Sequence, residues 1–195
     1  MIRAIAAAVA FALLPAVPAV AAPPTLPTPK GTYGAKLDAG LLGQHVHYLS
    51  NEGINTTQEF GAIRIWDNGV RWDQVEKQQG QYDWDRLDRI VANAKKAGAK
   101  EIMYVLGSTP EWAAKEINPD DFYYGGGTAS DVKTLSLWRD WVRAVATRYQ
   151  GQITSYQIWN EANLASFWAP TDSGNWKRMA RLTEIAADEI RAIDP

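Results

Sequence analysis

Short apolar runs alternate with amphipathic stretches along the chain from about Gly34 onward. The apolar runs predict strands, because β-branched and aromatic residues dominate them. We predict strands at Leu41–Leu49, Ala62–Asp67, Glu101–Leu106 and Ile153–Trp159.

The stretches between these runs have apolar residues every three or four positions, which predicts helices. We expect a short helical turn around Asn55–Phe60. A longer helix follows Asp83, which can cap it, and Gly98 stands where a helix commonly ends. Further helices are predicted at about Asp131–Tyr149 and Gly174–Ile193. Strands followed by helices in this order indicate an α/β fold.

Repeated βα units can form an open doubly wound sheet or close into a barrel. No Gly-x-Gly-x-x-Gly turn follows a predicted strand, whereas polar and aromatic residues gather after the second, third and fourth strands, as at the C-terminal rim of a barrel. A complete barrel takes about 250 residues. The predicted fold class is therefore a (β/α)8 TIM barrel of which only the first four βα units are present. A self-sufficient half barrel is the alternative.

The first residues have the pattern of a secretory signal peptide. Arg3 precedes an apolar run at Ile5–Leu14, and Ala19-Val20-Ala21 is a small-x-small cleavage site, with cleavage expected near Ala21 or Ala22. The run is too short to span a bilayer, so we expect secretion and no membrane association after cleavage. The predicted segments are a signal peptide at 1–21, a proline-rich linker at 22–33 and the barrel half at 34–195.

The amino-acid composition limits which classes of binding partner are expected. The chain has 20 basic and 22 acidic residues with no basic cluster, which argues against nucleic acid as a partner. It has 9 Trp and 8 Tyr, and flat aromatic faces suit the C–H faces of sugar rings, although about half of them are expected in the core. We therefore expect an oligo- or polysaccharide substrate, and no cofactor.

The strongest chemical signal lies at the end of the fourth predicted strand, where Asn160 and Glu161 follow Trp159. Cleaving a glycosidic bond requires a carboxylic acid beside the leaving oxygen, and a carboxyl enclosed by an aromatic ring such as Trp159 can serve. Asn160 would hold a sugar hydroxyl. Alternatively, Asn160 caps a short helix and Glu161 occupies its first turn.

The sequence Trp159-Asn160-Glu161 resembles the acid/base motif of the large clan of retaining glycosidases built on (β/α)8 barrels. Two further segments resemble the loops after strands two and three of that clan, and together they are most similar to glycoside hydrolase family 39 and related bacterial polysaccharide-degrading enzymes. The resemblance implies that Glu161 is the acid/base and that the nucleophile is a glutamate on a seventh strand, absent from this chain. The two segments are Trp72–Glu76 with Gly80–Trp84, and Thr109–Ala113.

Three charged or titratable residues on the first two strands are further candidates. Arg64 lies on an apolar strand, so we expect a carboxylate partner. The partner is Asp67 or another local acid or, as the resemblance implies, the nucleophile. His45 and His47 are two apart and point the same way. We favour sugar contact or core packing for them. A divalent-metal site of the amidohydrolase type is the alternative and supplies the runner-up function.

Aromatic residues near the strand ends are candidates for sugar contact, with simple packing as the alternative. They are Trp66, Trp72, Trp112 and Trp168. The aromatic, glycine-rich loop Asp120–Ser130 is interpreted as a lid or a sugar platform, or as a loop whose aromatics pack onto the barrel. A non-catalytic carbohydrate-binding fragment is a third possible function.

Overall fold

The computed structural model describes residues 42–45, 61–118, 120–170 and 175–195, all within a compact unit that extends from Leu37 to Pro195. The predicted signal peptide, the linker, the helical turn at Asn55–Phe60 and His47 lie outside the described residues. They stay predictions.

The described residues form one parallel sheet with the strand order β1-β2-β3-β4. Helices connect the strands after β2, and the α/β fold class predicted from the hydrophobic pattern is confirmed. The strands are β1 (Gly43–His45), β2 (Ala62–Ile65), β3 (Glu101–Leu106) and β4 (Ser155–Ile158). The helices are α1 (Trp72–Val75), α2 (Asp85–Lys96), α3 (Leu135–Arg148) and α4 (Asn175–Ile193).

Two helices differ from the sequence prediction. A single helical turn, α1, was not predicted and occupies the loop after β2. Helix α3 begins at Leu135 rather than at Asp131, because Asp131 is buried and engaged in tertiary contacts. Its carboxylate forms ion pairs with Lys115 at 2.7 Å and Arg178 at 2.8 Å, and accepts the backbone N–H of Val132.

The main core lies between the sheet and the helices, and tryptophan dominates part of it. The rings of Trp72 and Trp84 both stack on Trp141, at 5.8 Å and within 8° of parallel, and Trp138 packs against Trp72. A buried carboxylate, Glu76, accepts the Trp72 indole N–H at 2.6 Å, and burial raises its pKa. Packing thus explains a large share of the tryptophan content.

Helix α4 is the longest described helix, and it carries charged residues along its length. Within the described ranges, no helix is both long and apolar enough to cross a bilayer.

Candidate functional site

The carboxyl ends of the strands place one guanidinium at the centre of a polar network. Arg64 on β2 donates through Nε to Gln157 Oε1 at 3.0 Å and through Nη2 to Asn160 Oδ1 at 2.7 Å. Its Nη1 lies 3.5 Å from Nδ1 of His45 on β1. Because Arg64 pairs with Met103 of β3 and Met103 with Ser155 of β4, the register brings Arg64 alongside β4 across the sheet. The network therefore joins β1, β2 and the end of β4.

Asn160 links this network to the predicted acid. Its Oδ1 accepts from Arg64, and its Nδ2 donates to Glu161 Oε2 at 3.1 Å. Both polar atoms of the Asn160 amide therefore form hydrogen bonds. Because the Arg64 guanidinium can only donate, it bonds the amide oxygen and leaves the NH2 group to face the Glu161 carboxylate. Glu161 itself is exposed, so its carboxyl is open to a ligand.

The backbone around this carboxyl is unusual. Trp159 has φ 67° and Glu161 has φ 46°, both in the left-handed region that residues other than glycine rarely adopt. Trp159 turns into the core, where its ring packs 4.8 Å from Trp168 and its indole N–H donates to Phe167 O at 2.6 Å. Enclosure of Glu161 by Trp159 was therefore a wrong expectation, since the ring is buried away from the exposed carboxyl. Left-handed non-glycine residues held by packing often mark functional sites.

The helix-cap alternative for Asn160 does not fit the structure. The segment after Glu161 forms turns, not a helix, with Leu164 N–H donating to Glu161 O at 2.9 Å. The Asn160 side chain bonds Arg64 and Glu161 instead of the free N–H groups of a helix.

Arg64 has amide partners where a carboxylate was expected. Asp67 instead lies 2.9 Å from Nε2 of His45, and no ion pair joins Asp67 to Arg64 among the described residues. The physical reason is that Arg64 is only partly buried, so neutral acceptors suffice for its guanidinium. The predicted partnership with a nucleophile on another strand remains a prediction.

His45 faces Arg64 through one ring nitrogen and Asp67 through the other. Since a guanidinium can only donate, this geometry fits a ring that is protonated on Nε2 and donates to Asp67. In the described part of the chain, no group of three His, Cys, Asp or Glu residues is arranged to hold a metal ion. His47, the other half of the metal hypothesis, lies outside the described residues.

Most of the predicted sugar-contacting tryptophans are core residues. Trp72 has no exposed surface, and Trp66 and Trp168 are 4% exposed, so a sugar ring has no face to contact on any of them. The prediction is wrong for these three, and the packing alternative holds. Trp112 is partly buried and donates its indole N–H to Glu76 O at 2.8 Å, which fixes its ring against the core.

Sequence analysis missed one feature of the site, the role of Gln157. Gln157 lies two residues before Trp159 and supports Arg64, and strand alternation was the available signal for its orientation. Tyr123 belongs to the loop that sequence analysis interpreted as a lid or sugar platform; it is 67% exposed and contacts Phe167 from the loop after β4.

Comparison with known proteins connects this arrangement to sugar-cleaving barrels. Endo-1,4-beta-xylanase A of Phanerodontia chrysosporium is 27% identical over 180 residues, covering 88% of this chain and 40% of that protein. Endo-1,4-beta-xylanase A of Fusarium oxysporum is 27% identical over 112 residues, covering 56% of this chain and 31% of the relative. The chain thus spans less than half the length of these curated relatives.

A monomeric beta-xylosidase from Caulobacter crescentus has a similar structure, with a TM-score of 0.56 and 27% identity over 79% of this chain and 34% of its own. Xylanase XynB from Paenibacillus barcinonensis, at 22% identity and a TM-score of 0.52, shares the fold. The predicted resemblance to (β/α)8-barrel glycosidases is confirmed, and the four parallel strands are part of such a barrel.

The family is set by the sequence match. The family model for glycosyl hydrolase family 10 matches residues 28–180. Sequence analysis had given glycoside hydrolase family 39, which has the same kind of barrel, as the most similar family. Because this match covers more than half of the chain, the chain belongs to glycosyl hydrolase family 10.

Proposed function

We propose that the protein hydrolyses O-glycosidic bonds of β-1,4-linked xylan or xylo-oligosaccharides, with Glu161 as the acid/base of a retaining double displacement. The names of the relatives support xylan as the substrate class. The observation that carries the proposal is the Arg64–Asn160–Glu161 chain of hydrogen bonds at the rim of the sheet. The predicted secretion belongs to the same proposal, since xylan is a polymer outside the cell.

In the first step, the protonated Glu161 carboxyl gives its proton to the leaving glycosidic oxygen as the C–O bond breaks. A second carboxylate attacks the anomeric carbon from the opposite face and forms a glycosyl ester. We expect this nucleophile on a seventh strand, outside this chain. Two such carboxyl groups lie about 5 to 5.5 Å apart in retaining enzymes.

In the second step, the Glu161 carboxylate takes a proton from water, whose oxygen attacks the anomeric carbon and releases the ester. Asn160 positions the carboxylate for both steps, because its amide N–H donates to Oε2 and leaves Oε1 for the substrate. Arg64 acts through Asn160 as a positioning residue. His45, Trp112 and His47 stay candidates for contacts with sugar hydroxyls and rings.

Replacing Glu161 with Gln in the full-length protein tests the assignment. We expect kcat/KM on xylo-oligosaccharides to fall by about 10²–10⁴, the usual contribution of general acid catalysis, because the poor leaving group needs the proton. Activated aryl xylosides need less protonation and are expected to lose less activity in their first step.

Glu111→Gln provides a matched control, because Glu111 is an exposed carboxylate after β3. It is expected to retain the parent activity. An equal loss on both substrate types, or a comparable loss in the control, contradicts the role of Glu161. Binding of xylo-oligosaccharide without turnover by the parent would favour the non-catalytic binding function.

A further inference from the structure

An exposed aromatic ring is held in a fixed position against the loop that follows Glu161. Tyr123 is 67% exposed, yet its ring stacks on Phe167 at 5.0 Å and 26°, and meets Tyr124 edge-on at 4.7 Å. Its backbone N–H donates to Ser166 O at 2.9 Å. The ring is therefore ordered by its neighbours while much of its surface remains open to solvent.

Tyr124, the neighbour of this ring, contacts an ion pair whose arginine is buried. Tyr124 lies over the guanidinium of Arg71, with 3.7 Å from Cζ to the ring centroid. Arg71 is 6% exposed and donates to both carboxylate oxygens of Asp73 at 3.0 Å. Trp66 packs edge-on against the same tyrosine at 6.2 Å. These contacts fix Tyr124, and through it Tyr123.

The Tyr123 ring packs against the loop that follows Glu161. Leu164 N–H donates to Glu161 O at 2.9 Å, and Phe167 N–H donates to Leu164 O at 3.0 Å. Two successive backbone turns therefore lead from Glu161 to Phe167, the residue on which Tyr123 stacks. A sugar chain that reaches Glu161 can extend along this loop.

We propose that Tyr123 and Phe167, the Tyr123 platform, bind a pyranose ring of the xylan chain in a subsite beyond the two sugars that flank the cleaved bond. This inference rests on the proposed function and adds a specificity-determining contact to it. An ordered aromatic face stacks on the C–H face of a sugar and loses little conformational entropy on binding. The platform recognises chain length, because only a substrate with more sugars than the two joined by the cleaved bond reaches it.

Substitutions of Tyr123 in the full-length protein test the platform, with kcat/KM measured on xylobiose through xylohexaose. Tyr123→Ala and Tyr123→Leu are expected to lower kcat/KM on xylohexaose by about three- to tenfold, as expected for a lost aromatic stacking contact. Their effect on xylobiose is expected to be within about twofold. Tyr123→Phe and Tyr123→Trp keep an aromatic face and are expected to retain the parent length profile.

Leu42→Ala is the remote control, because Leu42 is an exposed apolar residue before β1, at the opposite end of the sheet. It is expected to leave every substrate unaffected. The platform is contradicted if Tyr123→Leu behaves like Tyr123→Trp, or if all chain lengths lose activity equally.

Binding separates the failure of the platform from the failure of the function. Calorimetry with xylohexaose compares the Glu161→Gln protein with the Glu161→Gln, Tyr123→Leu protein, and the second is expected to bind about three- to tenfold more weakly. Stacking-dependent binding in a parent that hydrolyses nothing supports the platform and refutes the proposed function. Hydrolysis with unchanged binding refutes the platform alone, and a parent that binds no xylo-oligosaccharide refutes both.

Discussion

The ion pair between buried Arg71 and partly buried Asp73 provides a test of how this end of the sheet is stabilised. Arg71→Met removes a guanidinium that donates to both Asp73 oxygens at 3.0 Å and to Ser108 Oγ at 3.3 Å. It also removes the cation from the ring of Tyr124. Methionine fills much of the volume of the aliphatic stem, so the change mainly affects charge and hydrogen bonding.

The expected loss follows from the burial of Arg71 and the partial burial of Asp73. Removing one member of a buried ion pair costs about 3–5 kcal/mol, because the other charge is left without compensation. The Asp73 side chain is 17% exposed and regains some hydration, which favours the lower end. The lost cation–π contact adds about 0.5–2 kcal/mol. We therefore expect the free energy of unfolding to fall by about 3–5 kcal/mol.

Equilibrium urea unfolding, followed by tryptophan fluorescence, measures this loss, and a double-mutant cycle with Asp73→Asn assigns it to the pair. The double variant is expected to lose at least 1.5 kcal/mol less than the two single losses added together, since, unlike either single variant, it leaves no member of the pair without its partner. A loss below about 1 kcal/mol for Arg71→Met would refute the reasoning and show that the pair behaves like a solvated surface pair. Additivity of the two single variants would refute it as well.

Two further changes probe other parts of the fold. The hydrogen bond from Arg148 lowers the pKa of Asp88 below its ordinary 3.8, so the stability that this carboxylate contributes is present above pH 3.8 and lost as the pH falls through the lowered pKa. Asp88→Asn is therefore expected to flatten the fall in Tm between about pH 4 and pH 2. An unchanged dependence of Tm on acid pH would contradict this. In Gly127→Ala the added Cβ meets Ala114 Cβ inside contact distance, so thermal unfolding is expected to show a loss of about 1–3 kcal/mol. The control Gly98→Ala, at φ 85° with open space around it, is expected to cost about 1 kcal/mol from backbone conformation alone, and an equal loss in both variants would contradict the steric argument.

The sheet and its helices could be predicted because their signals are local. Strand β3 has the predicted bounds, since the apolar run Ile102–Leu106 follows Glu101 directly and ends at Gly107. Helix α2 buries Leu87, Ile90 and Ala94, which recur every three or four positions along the helix predicted after Asp83. Burial follows directly from a period of 3.6 residues, so no knowledge of distant contacts was needed.

The partition of the tryptophans could not be predicted, because it depends on contacts between distant segments. Trp72 immediately follows a rim loop, yet its ring stacks on Trp141 from α3 and its indole N–H bonds Glu76. The partners of Arg64 depend likewise on the register of β2 and β4 through β3. Sequence patterns show which residues are apolar or charged, but they do not show which strands bring them together.

The segment Trp159-Asn160-Glu161 shows how a strand end can separate three roles within three residues. In a regular strand Trp159 and Glu161 would point to the same face. The left-handed backbone at both residues breaks that alternation, and each such residue costs on the order of 1–2 kcal/mol. Burial of the Trp159 ring and its bond to Phe167 O offset this cost. The indole thereby anchors the turn in the core, Asn160 remains beside Arg64, and the Glu161 carboxyl stays exposed with only one oxygen bonded by Asn160.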